Sequence, residues 1–377
     1  MICIKPFSLF EKSKTNSGPY LIFLVNRIQI LYMPLIFQRY LIYPYMILVI
    51  IGIGLISQLN LLILSKCWKS KYLNDGVQGI TKLFGKRLIR FYAFVGLFIC
   101  FIKIAVVILG YSDIIHQYIF PSINNNWLIL FIFLSSLYLT SKGMEKTIHF
   151  VVIVIFSAFW VIWITILIPF TPNSSIHDLY PLIPHSLTWF SWKGLLFMWS
   201  SLSGPEYLIF LKPWLTNEKK PLKYFTIGNL ISVIEYLLLF IGAILFFGSN
   251  YLSKTLFPTI DMIKYLQSPG FERIDIIVIS VYLFYILFAL ALFFLFFYGL
   301  SRITMAKWDL PTTRKGYLLC AVVTFSSLLT LYNCCWKLPY QYHFWLFLDI
   351  YLSSLSYLLL PITLLIAIKR KRRGDSK

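Results

Sequence analysis

Residues 199–214 read "WSSLSGPEYLIFLKPW": three serines, a Gly-Pro step and a carboxylate set into a chain dominated by Ile, Leu, Phe and Tyr. Pro205 has no backbone N–H and its ring clashes with the preceding helical turn, while Gly204 tolerates dihedrals that a helix does not use. A helix through this stretch is expected to break. The surroundings make that break informative. Of 377 residues, 59% are hydrophobic and only 13% charged, with a mean hydropathy of +0.78, which places the chain in lipid rather than in water. Backbone groups freed inside a membrane must face protein or a water-filled cavity, so a broken span marks a place where something other than lipid is met.

A bilayer core about 30 Å thick takes roughly 20 apolar residues per helix. Ten runs approach that length, at 18–37, 41–65, 88–110, 126–141, 148–170, 194–215, 225–248, 274–300, 317–336 and 344–368. They predict an all-α integral membrane protein of about ten transmembrane helices. The 34 Lys and Arg residues test the count: with a cytoplasmic N-terminus, 26 fall on the cytoplasmic side and 6 on the other, leaving Arg27 and Lys103 within spans. By the positive-inside rule this supports ten spans with both termini cytoplasmic. The expected organisation is one membrane domain over 1–377, with a cytoplasmic tail at 1–17, the bundle at 18–368 and a basic cytoplasmic tail at 369–377. The net charge of +20 is absorbed by this sorting, and the tail "KRKRRGDSK" reads as a contact for anionic lipid rather than nucleic acid.

Other classes find little support. Cys3, Cys67, Cys100, Cys320, Cys334 and Cys335 lack zinc-site or disulfide-framework spacing and read as packing residues. The first 17 residues carry charges and no small-residue cleavage site, so the first apolar run is expected to stay as a helix. The five histidines are scattered, and no paired-His metal motif or phosphate loop is present. Neither an enzyme nor a cofactor or metal site is expected.

What remains is the set of polar groups inside spans, each a site candidate because an ionisable group in hydrocarbon is costly unless paired or hydrated. Span one carries Asn26, Arg27 and Gln29, then Pro34. Span three carries Lys103, span six Glu206, span seven Glu235 and span ten Asp349. Asp349 lies close enough to the end of its span to read as solvated surface, and Glu235 as a partner within the bundle. At the break defined by Gly204 and Pro205, Ser200, Ser201 and Ser203 are expected to satisfy freed backbone groups. The second half-helix would offer N–H donors near Glu206 to an anionic ligand. A plain proline kink, with the serines bonded to their own turn, is the alternative. The other polar interruption, "LVNRIQILYMP" at 24–34, falls in span one. In transporters built from two inverted five-helix repeats, spans one and six are the equivalent broken pair flanking the substrate, and the span numbers here match that layout. The candidate ligand-binding set is therefore Asn26, Arg27, Gln29, Lys103, Ser200, Ser201, Ser203, Gly204 and Glu206, with Arg27 either open to ligand or paired to Glu206.

Five stretches carry a resemblance: "FGKRLIRFYAF" (84–94), "GMEKTIHF" (143–150), "LIP" (182–184), "GPEYLIFLKPWL" (204–215) and "LFPTIDMIKYLQSPGFERIDIIVISVY" (256–282). The chain resembles the permease-like B subunit of bacterial spore germinant receptors, a branch of the amino acid, polyamine and organocation transporter superfamily. It differs from that pattern at His149, where an arginine is usual, and at Asn26-Arg27, where span one usually contains glycine. The resemblance implies a subunit of the spore inner membrane, assembled with an A subunit and a lipoprotein C subunit. It further implies a pocket between spans one, three, six and eight that senses a small nutrient such as an amino acid. It also places the segment 248–273 over the binding face; by composition that segment reads as a lid or as an aromatic belt resting on lipid, with Glu272 and Arg273 as a salt bridge. Two other readings stay open: a secondary amino-acid transporter coupled to H⁺ or Na⁺, and a scaffold subunit that binds no ligand.

Overall fold

A computed structural model describes residues 8–11, 17–31, 41–167, 174–182, 191–216, 218, 220–265, 273–337 and 339–375. In chain order the main helices are α1 (Ser17–Gln29), α2 (Met46–Trp68), α3 (Lys86–Tyr118), α4 (Asn125–Ser141), α5 (Met144–Leu167), α6 (Trp192–Ser201), α7 (Pro221–Leu252), α8 (Ile274–Thr304), α9 (Arg314–Leu331) and α10 (Pro339–Asp375). A 3-10 helix, Pro205–Trp214, continues α6, and a π-helical turn, Tyr332–Trp336, continues α9. Short helices at Lys71–Asn74 and Val77–Phe84 join α2 to α3, and another at Pro258–Lys264 precedes α8.

Among the described residues, six stretches are each long and apolar enough to cross a membrane: Met46–Trp68, Lys86–Tyr118, Pro221–Leu252, Ile274–Thr304, Arg314–Trp336 and Phe344–Arg373. Asn125–Ser141 and Met144–Ser157 pass as a seventh only when taken together, across a bend of 120°. At 13 residues α1 is about 20 Å long, short of a bilayer core, and Pro34 lies outside the described residues. The chain is a multi-pass, all-α membrane protein.

Burial sorts the helices. Residues 102–112 of α3 and 288–296 of α8 are buried without interruption, as expected of helices apolar all round that occupy the centre of a bundle. The outer helices instead present apolar faces to lipid: Leu48, Leu55 and Leu59 on α2, Leu318, Leu319, Val322 and Val323 on α9, and Leu355, Leu358 and Leu359 on α10 are all exposed. With lipid as apolar as leucine, close packing depends on small residues. Gly228 of α7 is one of them: a Cβ there would lie 2.8 Å from Val25 Cβ and 2.9 Å from the Ile22 carbonyl oxygen of α1. This approach brings the polar face of α1 against α7.

The segment before α8 packs against protein. The helix Pro258–Lys264 buries Pro258, Thr259, Ile260, Met262 and Ile263, its Asp261 Oδ1 accepts from Tyr118 Oη at 2.7 Å, and Phe257 meets the Tyr118 ring edge-on at 6.0 Å. Of the residues that suggested a lipid-resting belt, Phe257 and Pro258 are spent on this docking, whereas Tyr251 and Tyr265 stay exposed and Phe271 lies outside the described residues. Glu272 lies outside the described residues, and Arg273 pairs with Asp275 at 2.9 Å.

Candidate functional site

The helix break falls where the Gly-Pro step places it. α6 ends at Ser201, and the chain restarts as a 3-10 helix at Pro205. Gly204 between them has φ of 131°, a conformation that L side chains rarely adopt. A Cβ there would overlap Ile28 Cγ2 and lie 3.0 Å from the Ile28 carbonyl oxygen. Glycine is thus required both by the local dihedral and by the approach of α1.

The freed backbone groups find partners that differ from the expected ones. Ser200 Oγ and Ser201 Oγ both donate to the Phe197 carbonyl at 2.8 Å, bonding back to their own turn. The Gly204 N–H is instead taken by Glu206 Oε2 at 2.5 Å, and the Leu202 carbonyl by Gln29 Nε2 at 3.1 Å. One N–H at the break is therefore capped by the chain's own carboxylate. Glu206 is fully buried, and its Oε1 accepts from Ser356 Oγ of α10 at 3.2 Å.

At the end of α1, Gln29 Nε2 also donates to Asn229 Oδ1 at 3.0 Å. The single O–H of Tyr236 is shared between the Gln29 carbonyl at 2.6 Å and the Ser201 carbonyl at 3.1 Å, and Tyr285 Oη donates to the Arg27 carbonyl. Tyrosines of α7 and α8 thus satisfy carbonyls that a finished helix leaves without intrahelical partners. Arg27 does not reach Glu206. Its Nη2 pairs with Glu235 Oε1 of α7 at 3.2 Å, while Asn26 Nδ2 donates to Ser232 Oγ at 3.2 Å. The tight contact at Gly228 sets α1 against α7, where both side chains find their partners.

A cavity lies against the break. It is lined by Ile28, Gln29 and Leu31 after and within α1, Lys103 of α3, Ser200, Ser201, Ser203 and Gly204, Phe293 of α8, and Asp349 and Ser353 of α10. Six of the nine candidate residues therefore meet in one place, across segments far apart in sequence. Asn26, Arg27 and Glu206 do not line it. The free volume is about 10 Å³ for the centre of a water-sized sphere, near the least that admits one water. The cavity is narrow.

Its charges come from Lys103 and Asp349, 3.7 Å apart and almost fully buried. Lys103 Nζ donates to Ser353 Oγ at 2.6 Å, and Ser353 Oγ to Asp349 Oδ1 at 3.3 Å. The ammonium also sits 5.8 Å from the Phe293 ring centre and 5.9 Å from that of Tyr207. Asp349 is thus no solvated surface residue: the helix runs on past its predicted start, and Asp349 turns inward at 1% exposure. Asp349, Ser353 and Ser356 were legible as a polar stripe at i, i+4 and i+7 of "DIYLSSLS", which puts all three on one face of a helix. Among the described residues no group of three His, Cys, Asp or Glu is placed to hold a metal ion.

The comparisons with known proteins bear on this arrangement. The family model described as "Spore germination protein" matches residues 20–332. The chain belongs to the spore germination protein family. Spore germination protein GerQB of Bacillus cereus is 29% identical over 182 residues, 47% of this chain and 48% of that protein; the chain thus aligns with about half the length of this curated relative. Among solved structures, a mutant manganese transporter of Eremococcus coleocola superposes with a TM-score of 0.53 at 12% identity, over 97% of this chain and 81% of the other. MhsT in complex with L-phenylalanine superposes with a TM-score of 0.53 at 12% identity, over 94% of this chain and 99% of the other. At such identity the likeness is one of fold: this spore germination protein is transporter-like in architecture, and its family and its fold neighbours are of receptor or transporter kind.

Proposed function

We propose that this spore germination protein is the membrane subunit of a germinant receptor, and that it binds a small nutrient, such as an amino acid, between spans one and six. In this reading the chain is a single membrane domain in the spore inner membrane, with about ten spans arranged as two inverted five-helix repeats and both termini cytoplasmic. It acts with an A subunit and a lipoprotein C subunit. The observation that carries the proposal is the polar, charged cavity at the Gly204 break, where Gln29, Lys103, Ser200, Ser201 and Ser203 converge with Asp349 and Ser353. Buried polar groups gathered at a broken helix are what ligand recognition in a membrane requires. Because the cavity has room for little more than one water, a nutrient must select or induce a wider state, and it can bias the receptor only by its difference in affinity between the two.

The test uses spores in which this receptor is the sole one. Ser203→Val fills the cavity with two methyl groups and should raise the nutrient concentration needed for germination, at unchanged abundance of the subunit. An unchanged dose response at normal abundance would move nutrient binding elsewhere and favour the scaffold reading. Accumulation of radiolabelled nutrient in vesicles bearing the chain alone, driven by an H⁺ or Na⁺ gradient, would make it a transporter.

A further inference from the structure

Lys103 and Asp349 both line the cavity, from α3 and α10, and form an ion pair with each other. Their separation of 3.7 Å exceeds a hydrogen bond; the short bond of Lys103 goes to the neutral Ser353 Oγ, at 2.6 Å. The pair is in contact yet not hydrogen-bonded to itself, and it has been removed from water, a cost that such a contact only partly offsets. A second observation concerns Gln29. Its Nε2 has two acceptors, the Leu202 carbonyl and Asn229 Oδ1, which fixes the amide's orientation. Its Oε1 is buried with no hydrogen-bond partner. The cavity wall therefore offers an ammonium and a carboxylate that engage each other loosely, and Gln29, another residue lining it, carries an acceptor left unused.

We propose that the Lys103–Asp349 pair is a lock that a zwitterion opens by exchange. The ligand carboxylate takes the Lys103 ammonium, and the ligand ammonium takes Asp349 and Gln29 Oε1. No charge is left unpaired at any stage, because the ligand supplies one of each sign at nearly the separation the protein already holds. Binding also parts α3 from α10, since each strand of the lock then ends on the ligand instead of on the other helix. The narrow cavity of about 10 Å³ is the locked state. A compound with only one charge would pair one side and strand the other in a buried site, which is penalised, and an uncharged compound would leave the lock closed. This proposal rests on the reading that a small nutrient such as an amino acid binds in this cavity, and it adds the charge exchange by which such a ligand would open it.

The experiment has two arms on spores carrying this receptor alone. In the first, wild-type spores are exposed to L-alanine and L-valine, to the matching acids propionate and isovalerate, to the matching amines ethylamine and isobutylamine, and to inosine and glucose. Germination by at least one amino acid and by none of the single-charge or uncharged compounds is expected. Germination by an amine, an acid, inosine or glucose, or by no amino acid, overturns the lock. In the second arm, Lys103→Met with Asp349→Leu replaces the pair by apolar side chains of similar bulk. The amino-acid concentration needed should rise about tenfold to hundredfold, the loss of one or two charge-assisted hydrogen bonds, with normal subunit abundance. A wild-type dose response from this variant overturns the lock. If Ser203→Val abolishes the response while the neutral pair leaves it intact, the nutrient site stands and the lock falls; if neither variant changes it, the nutrient site itself has failed. Should the double variant not accumulate, the analogue arm decides alone.

Discussion

Removing the buried pair between Arg27 and Glu235 gives the sharpest test of how span one is held. At 3.2 Å the attraction is about 5 kcal/mol for an effective dielectric of 20, and desolvation of both groups offsets most of it in the intact pair. The asymmetry appears when one partner goes. Glu235→Gln leaves the guanidinium buried and unpaired, since arginine does not give up its proton, and should cost about 3–5 kcal/mol. Arg27→Met leaves a carboxylate that can take up a proton, so its cost should be smaller and should shrink further at acid pH. The double variant Arg27→Met, Glu235→Leu removes both desolvation costs and should lie within about 2 kcal/mol of the wild type. Unfolding by SDS titration in mixed micelles measures each, and the double-mutant cycle isolates the coupling. A parallel cycle between Arg27→Met and Glu206→Gln should be additive within about 0.5 kcal/mol, because Glu206 caps Gly204 and not Arg27. Absence of coupling between residues 27 and 235, or clear coupling between 27 and 206, would refute this account of α1.

Further outcomes follow from single contacts. Gly204→Ala forces an L side chain to φ of 131° and into Ile28, so it should cost about 2–4 kcal/mol and lower the amount of subunit recovered from membranes. Trp214→Phe removes the bond from Trp214 Nε1 to the Glu11 carbonyl at 2.7 Å, a loss of about 1 kcal/mol that should appear as faster proteolysis at residues 8–11. Burial raises the Asp261 carboxyl above its ordinary value of 3.8 despite the Tyr118 hydrogen bond that opposes it. An acid whose folded value is raised stabilises docking of Pro258–Lys264 at low pH, and that contribution is lost as pH climbs from the ordinary carboxylate value through the raised one. Hydrogen-exchange protection of residues 258–264 should therefore fall over that window, and Asp261→Asn should flatten the fall.

Residue spacing alone located the break, because the two causes of it, a missing N–H at Pro205 and a tolerated positive φ at Gly204, are local. The same locality made Gln29, Lys103 and the three serines legible as anomalies in apolar runs. Partner choice was not legible. Arg27 was read as open to a ligand or paired to Glu206, and it is the close approach of α1 to α7 at Gly228 that brings it to Glu235 instead. Asp349 was read as surface from its distance along span ten, a one-dimensional measure that cannot tell which face of a helix meets the bundle.

By itself, then, the sequence determined that this chain lives in a membrane, since the apolar runs leave no other solvent for it, and that its sixth span cannot be a continuous helix. Composition and local stereochemistry suffice for both. The tertiary structure decided which charges pair: Arg27 with Glu235, Lys103 with Asp349, and Glu206 with the backbone it caps. These partners are separated by 208, 246 and 2 residues. Electrostatic pairing depends on distance in space, and for Arg27 and Glu235 that distance is set by the approach of α1 to α7 that Gly228 permits.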